Sequence, residues 1–163
     1  MLKRMVDDHR REFDGWRVAR NRTVGVISIH FRHGDAAMGV GDDDDNRHPI
    51  SFVSRQLACA FQLSSVLGLD QRTTAFIFIT DSLSARAAVN AKYSSVVYTP
   101  NTIVVHTDES DRTTPEQNAA SFVDLILLAD ANGTVMSNSG FSRLGASLGL
   151  MTADQRISHS TCP

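Results

Sequence analysis

Four ionisable side chains stand together at the end of the first apolar stretch of the chain. The strand-like segment VISIHFRHGD, residues 26–35, ends in His30, Arg32, His33 and Asp35. A planar guanidinium at the end of a strand can bind two phosphate oxygens at once, and a nearby carboxylate can accept from it and fix its direction. The segment therefore indicates a phosphate-bearing ligand, although an arginine-aspartate pair at a strand end is more often a structural ion pair.

Two further polar turns follow apolar runs. Thr80-Asp81-Ser82 comes after TTAFIFIT (73–80), and SNSGFSR (137–143) comes after GTVM (133–136). Small polar residues at a helix start leave backbone N–H groups and the helix dipole available to an anion. Either turn alone is most simply a helix N-cap, but together with Arg32 they favour a nucleotide or phosphate site. The second turn lacks the Gly-x-Ser-x-Gly elbow of serine hydrolases, and no paired base is evident.

Strand-like runs alternate with segments of helical length. Strands are predicted at 23–31, 73–80 and 133–137, short β-rich runs at 94–99 and 102–106, and helices at 49–68, 81–92, 114–131 and 139–150. The strand at 133–137 is the last one predicted. This alternation predicts an α/β fold, a Rossmann-like open and mostly parallel sheet with helices on both faces. Such sheets bind ligands outside the carboxyl ends of their strands, where the polar turns lie.

Length and composition favour a single globular domain and argue against several classes of partner. The chain has 163 residues, 42% of them hydrophobic, which is enough for one core. A net charge of −2 argues against nucleic acid or an anionic membrane surface as partners. No apolar run reaches the roughly 18 residues of a membrane-spanning helix, and no targeting signal is recognised. Cys59 and Cys162 lack metal-ligand spacing and are not expected to form a disulfide.

Residues 1–22 differ in character from the rest of the chain. They carry a loose apolar stripe at helical spacing, formed by Leu2, Met5, Val6, Phe13 and Trp16. We therefore expect residues 1–22 to form a linking amphipathic helix and residues 23–163 to form the ligand-binding domain. A linking helix at this position suggests that the front half of a longer protein is missing.

Three segments, in this order, resemble the GDP-fucose-dependent fucosyltransferases, which include the α1,6- and protein-O-fucosyltransferases. VGVISIHFRHGD (24–35) resembles the family's His-x-Arg-x-x-Asp motif. FIFITDSLSARAAVNAKY (76–93) resembles its next block, a strand followed by Thr-Asp and a helix. NAASFVDLILLADANGTVMSNSGFSRLGASLGL (118–150) is similar to the third block, with its Ser-x-Phe-Ser turn and final helix. The resemblance covers about residues 23–150.

The resemblance implies roles for individual residues. Arg32 would be the catalytic residue, contacting the β-phosphate of GDP-fucose and stabilising the diphosphate leaving group. His30 would line the nucleotide pocket, and Asp35 would stand at the acidic position of the motif. Asp81 and Asp124 would lie near the guanine or the ribose. The phosphates and the guanine would be wrapped by four residues of the last turn: Ser139, Gly140, Phe141 and Ser142.

For the whole chain, the resemblance implies the carboxyl-terminal, donor-binding half of a two-domain GT-B glycosyltransferase. Fucose would pass from GDP-fucose to a glycan or protein hydroxyl with inversion, and no metal would be required. Family members mostly work in the secretory lumen, Golgi or ER, and take their acceptor contacts from an amino-terminal half that this chain lacks. A missing amino-terminal domain or a second chain is therefore an expected partner. Gly140 stands where relatives often have a larger polar residue, so no side-chain contact is expected there.

Two other functions are compatible with the same residues. The segment RHG (32–34) also resembles the histidine phosphatases, in which His33 would be the nucleophile. In that interpretation Ala36 replaces an expected arginine, and His106 is the candidate second histidine. A non-catalytic nucleotide-sugar-binding module would use the same binding residues as a transferase. The acidic run GDDDDNRH (41–48) could attract a hard cation, but such runs are more typical of a solvated loop.

Overall fold

A computed structural model describes residues 1–32, 52–102, 114–158 and 160–162. Within these ranges the elements are α1 (Leu2–Ala19), β1 (Gly25–Phe31), α2 (Phe52–Val66), β2 (Thr74–Thr80), α3 (Leu83–Tyr93), β3 (Val97–Tyr98), α4 (Pro115–Ala129), β4 (Gly133–Met136), α5 (Gly140–Leu148) and β5 (Arg156–Ser158). None of the helices in these ranges is long and apolar enough to cross a membrane.

The strands form one parallel sheet in the order β3-β2-β1-β4-β5. From β1 the chain adds β2 and β3 on one side, and then returns to add β4 and β5 on the other. Gly25 lies opposite Thr74 and Phe31 lies opposite Thr80, so β1 and β2 end at the same level. The strand order reverses between β1 and β4, and α/β sheets bind ligands in the crevice at such a point. The predicted α/β Rossmann-like fold is confirmed.

Helices cover both faces of the sheet. Because successive side chains of a strand point to opposite faces, Phe76 and Phe78 of β2 pack under α2, while Ile77 and Ile79 pack under α1 and α4. Every residue of β2 is buried. A central strand buried on both faces reads as a continuous apolar run, which is why TAFIFI was recognisable in the sequence.

Residues 2–19 form the amphipathic helix expected at the start of the chain. Val6 and Phe13 are buried, and Trp16 is partly buried against the same cluster. The rings of Phe13 and Trp16 lie 5.2 and 5.7 Å from the ring of Tyr98 in β3. The helix is therefore anchored on the sheet by aromatic packing. The division of the chain at residue 22 stays a prediction.

The sequence predicts β4 as the last strand of the chain, but the structure has a further strand, β5. After a short 3-10 turn at Ala153–Gln155, β5 pairs with β4 and places Ile157 opposite Val135. The three residues of β5 are half-buried at the edge of the sheet. So short an edge strand has no apolar run long enough to give a strand signal.

The expectation that Cys59 and Cys162 stay unpaired is wrong. The two residues form a disulfide, with their Cα atoms 5.7 Å apart. β5 brings the end of the chain back towards α2, where Arg55 donates from Nη2 to the carbonyl of Cys162 at 2.9 Å. A separation of 103 residues gives no hint of this proximity, because it depends on the unpredicted strand.

Candidate functional site

The carboxyl ends of three neighbouring strands carry most of the described residues predicted for the site. Arg32 directly follows β1, Asp81 follows β2, and Ser137 follows β4. Because β1 is hydrogen-bonded to both β2 and β4, these residues lie along one edge of the sheet. The crevice between β1 and β4 therefore has Arg32 on one side and the start of α5 on the other.

Arg32 and Asp81 form an ion pair at this edge. Nε of Arg32 is 4.0 Å from Oδ2 of Asp81, and the two side chains are only 29% and 14% exposed. Partial shielding from water strengthens such a pair, so the carboxylate restricts the orientation of the guanidinium. From the sequence, this orienting role is predicted for Asp35, which lies outside the described residues, as His33 does. Asp81 was predicted near the base or ribose, and the structure brings it to the arginine.

His30 ties the end of β1 to the turn after β4. Its side chain is buried, its Nδ1 is 2.6 Å from Oγ of Ser137, and its ring lies 5.2 Å from the ring of Phe141. Burial, and secondarily the charge of Arg32, lowers the pKa of His30 to about 3, so the ring is neutral at physiological pH. No paired base is evident in the sequence of the serine turn, and the structure places the His30 ring beside Ser137. Ser137 is itself buried, however, so the pair joins the end of β1 to the turn after β4 rather than presenting a nucleophile.

Serine side chains organise the start of α5. Oγ of Ser139 accepts from the N–H of Phe141 at 3.2 Å, and Oγ of Ser142 donates to the carbonyls of Ser137 and Ser139, both at 3.1 Å. Helical geometry leaves the N–H of Gly140, the exposed first residue of α5, without an intrahelical acceptor, whereas Ser142 is fully buried. The N–H of Gly140, together with the helix dipole, can bind an anion. Gly140 is exposed, and a Cβ atom built there would meet no atom within 4 Å.

Asp124 lies on α4 and belongs to a separate polar cluster. Its Oδ2 accepts from Oγ1 of Thr102 at 3.3 Å, and Thr102 in turn accepts from Arg86 of α3. Burial raises the pKa of Asp124 to about 7, although Thr102 and Arg86 both act to lower it. Arg86 and Thr102 were not predicted. The sequence signal that could have identified Arg86 as a site residue is its position early in the helix that follows Asp81.

A cavity of about 390 Å³ opens beside the start of α5. Its wall is mostly apolar and is contributed by α4 and α5: Asn118, Ser121, Phe122, Leu125, Gly140, Phe141 and Leu144. A cavity with aromatic walls and a few polar groups suits a flat or partly apolar ligand group. Of the residues that line this cavity, Gly140 and Phe141 are predicted from the sequence, but the four residues from α4 are not. Periodicity alone does not say which helix faces lie side by side.

Within the described ranges, no group of three or more histidine, cysteine, aspartate or glutamate residues is placed to hold a metal ion. The acidic run 41–48 and His106 lie outside those ranges. Interpretations that depend on them, a cation site and a histidine phosphatase, therefore stay predictions.

No protein-family model and no curated protein matches the sequence. The fold is similar to the crystal structure of NodZ alpha-1,6-fucosyltransferase co-crystallised with GDP, with 15% identity, a TM-score of 0.51, and coverage of 87% of this chain and 41% of that chain. For the crystal structure of fucosyltransferase NodZ from Bradyrhizobium, the identity is 17% and the TM-score is 0.47, with coverage of 86% of this chain and 41% of that chain. This chain thus spans less than half the length of either. It has an α/β Rossmann-like fold similar to part of a fucosyltransferase.

Proposed function

We propose that this chain binds GDP-fucose and forms the donor-binding part of a fucosyltransferase. The observation that carries the proposal is the convergence of Arg32, Asp81 and the start of α5 across the point where the strand order reverses. A guanidinium on one side of a crevice and a helix amino terminus on the other suit a diphosphate. The similarity in fold to a fucosyltransferase co-crystallised with GDP supports this choice of ligand.

In this proposal the diphosphate lies in the crevice between β1 and β4. Arg32 contacts the β-phosphate, and the N–H of Gly140 at the start of α5 binds a further phosphate oxygen. Asp81 holds Arg32 in position through their ion pair. Asp35 keeps the role that the resemblance implies, at the acidic position of the same motif. Because Arg32 and the start of α5 supply positive potential, binding of the diphosphate does not require a metal ion.

The guanine is assigned to the groups around α4. A carboxylate can accept from both N1–H and the 2-amino group of guanine, and Asp124 supplies a partly shielded one. Phe141 offers an aromatic ring beside the cavity, and its contact with His30 fixes the position of that ring. Ser139 holds the turn between the phosphate and base positions through its N-cap hydrogen bond.

The proposed reaction is an inverting displacement. The acceptor hydroxyl oxygen bonds to the anomeric carbon as the bond from that carbon to the β-phosphate oxygen breaks, and the electron pair of the broken bond leaves on GDP. Arg32 and the start of α5 stabilise the negative charge that develops on the phosphate. The hydroxyl proton leaves to solvent or to a base of the acceptor-binding part, which a further domain or a second chain would provide.

The proposed location is the secretory lumen. The disulfide between Cys59 and Cys162 supports an oxidising compartment, since such bonds are rare in reducing ones.

The proposal is tested by calorimetric titration of the chain with GDP, GDP-fucose, ADP and inorganic phosphate, each with and without a chelator. We expect binding that is selective for the guanine nucleotides and insensitive to the chelator. Equal binding of GDP and ADP, or binding of phosphate alone, would contradict the proposal and make His33 the residue to test next. A donor-binding part and a non-catalytic binding module would both bind GDP selectively, and fucose transfer once an acceptor-binding part is supplied would distinguish them.

A further inference from the structure

A guanidinium and a carboxyl group lie close together between α3 and α4. Arg86 donates from Nη1 to the carbonyl of Thr102 at 2.7 Å and from Nη2 to its Oγ1 at 3.4 Å. Oγ1 of Thr102 lies 3.3 Å from Oδ2 of Asp124 and donates to it. Thr102 is buried, with 5% of its surface exposed. A single threonine therefore links Arg86 to the carboxyl group of Asp124.

Two atoms of this cluster are buried and lack a hydrogen-bond partner within the described part of the chain. They are Nε of Arg86 and Oδ1 of Asp124. Folded proteins seldom leave such charged groups without partners, because the desolvation cost is then not offset. Oδ1 is thus a buried acceptor without a donor in the described part of the chain. A ligand can bind it only after displacing the atoms that shield it.

We propose that Arg86 determines the base specificity of the site: acting through Thr102 and through its charge, it holds Asp124 in place as an ionised acceptor, which selects guanine over adenine. This inference rests on the proposed function. Guanine presents two adjacent donors, N1–H and the 2-amino group, which match the two oxygens of a carboxylate. Adenine presents an acceptor at N1, which a carboxylate repels. A protonated Asp124 would lose this discrimination, because it offers one acceptor and one donor.

Few charges face Asp124 from the elements around it. Arg86 comes from α3, and β3 contributes the phenol of Tyr98, which is uncharged because burial and nearby Glu12 of α1 raise its pKa. Arg10 of α1 is engaged elsewhere, with Asp130 at the end of α4. His30 of β1 is neutral. Arg86 is therefore the cation that opposes the effect of burial on Asp124 in the described part of the chain.

The test compares the affinities for GDP and ADP across pH 5.5–8.5 for the wild-type chain, Arg86→Gln, Arg86→Lys and Arg10→Gln. The ratio of the two affinities removes the titration of the phosphates, which is common to both ligands. In the wild type we expect the ratio to rise with pH as Asp124 ionises. Arg86→Gln should move this rise upward by about one pH unit and lower the ratio at pH 7 by about fivefold.

Matched variants separate charge from structure. Arg86→Lys keeps the charge and should move the profile less than Arg86→Gln does. Arg10→Gln breaks an arginine-aspartate pair between α1 and the end of α4 and should leave the profile unchanged. If Arg86→Gln does not fold, Thr102→Val removes only the hydroxyl between the two groups and should also lower the ratio. A wild-type ratio and profile in Arg86→Gln, or in Thr102→Val where that variant takes its place, would overturn the inference.

A second readout does not depend on the ligand. ¹³C NMR titration of the Asp124 carboxyl in the unliganded chain should give a higher pKa in Arg86→Gln than in the wild type. An unchanged pKa overturns the inference even if GDP binds selectively. A raised pKa in a chain that does not prefer GDP would instead overturn the proposed function while leaving the coupling of Arg86 to Asp124 intact.

Discussion

At the scale of single residues, His30 and Asp124 make the stability of the chain depend on pH in opposite directions. The pKa of buried His30 falls from 6.5 to about 3, so acid protonates the unfolded chain first and stability is lost as pH falls through this window. The pKa of Asp124 rises from 3.8 to about 7, so stability is lost as pH rises through that window. Between about pH 4 and 6.5 the two effects partly cancel.

Replacing Asp124 with asparagine should remove one of these two effects. The free energy of unfolding of the wild type, relative to Asp124→Asn, should increase as pH falls from 7 towards 4, with a slope of up to about 1.4 kcal/mol per pH unit. Urea unfolding of both proteins between pH 4 and 8 measures this difference. A difference that does not change with pH would show that the carboxyl is not shielded as described.

The opposite slope is expected for His30→Gln. Relative to this variant, the wild type should lose stability as pH falls from 6.5, again by up to about 1.4 kcal/mol per unit. The same urea titrations supply the measurement. Equal losses of stability in acid for the wild type and the variant would mean that His30 is accessible to protons in the folded state.

Arg32 is predicted to matter for binding and not for folding. Arg32→Ala should weaken GDP binding by about 100-fold, because truncating a charged hydrogen-bonding partner of a bound anion costs several kcal/mol. Its melting temperature should change little, since a partly exposed ion pair contributes little to stability. Calorimetry and thermal unfolding measure the two effects. Arg72→Ala, which breaks an exposed pair with Asp70 ahead of β2, is the control and should affect neither.

At the scale of elements, α5 owes its position to close packing against α4. A Cβ atom at Gly145 would lie 2.8 Å from Cβ of Leu128, so the two helices approach at this glycine. The same packing sets where the start of α5 stands relative to the end of β1.

Alanine at two glycines of α5 should therefore have different effects. Gly145→Ala should push α5 away from α4 and lower the free energy of unfolding by about 1–3 kcal/mol, with weaker GDP binding. Gly140→Ala should leave stability unchanged or slightly higher, because a Cβ atom there meets open space and alanine restricts the unfolded chain. Urea unfolding of both variants decides this. A similar loss in the two variants would contradict the packing described for α5.

Local sequence signals predicted some parts of this architecture and not others. β1, β2 and β4 were recognisable as apolar runs bounded by polar turns, and the polar residues that follow them were identified because they interrupt those runs. The strand order was not predictable, because it depends on which strands pair across the chain. The partnership of Arg32 with Asp81, and of His30 with Ser137, follows from that order and could not be read from spacing.

At the scale of the whole molecule, the disulfide ties the end of the chain to α2 across 103 residues. Reduction, or the double variant Cys59→Ser/Cys162→Ser, should lower the free energy of unfolding by about 2–4 kcal/mol, since the cross-link restricts the unfolded chain. Chemical unfolding with and without dithiothreitol measures the loss. The double variant serves as the control and should no longer respond to dithiothreitol. A midpoint that is unaffected by the reductant in the wild type would contradict the bond.

This chain corresponds to only part of the fucosyltransferase with a similar fold. This chain covers 41% of a fucosyltransferase with a similar fold, and acceptor contacts from a further domain or chain remain part of the proposal. The donor part of the proposal can nevertheless be tested alone, because Arg32, Asp81, Asp124 and the start of α5 all lie within this chain.

The central claim is that a diphosphate binds between the end of β1 and the start of α5. The most direct measurement is a ¹H–¹⁵N NMR titration of the labelled chain with GDP. We expect saturable shifts in the backbone amide of Gly140 and in the side-chain Nε–H of Arg32. Shifts confined to the opposite edge of the sheet, near Gly25 and Thr74, or no shifts at saturating GDP, would contradict it.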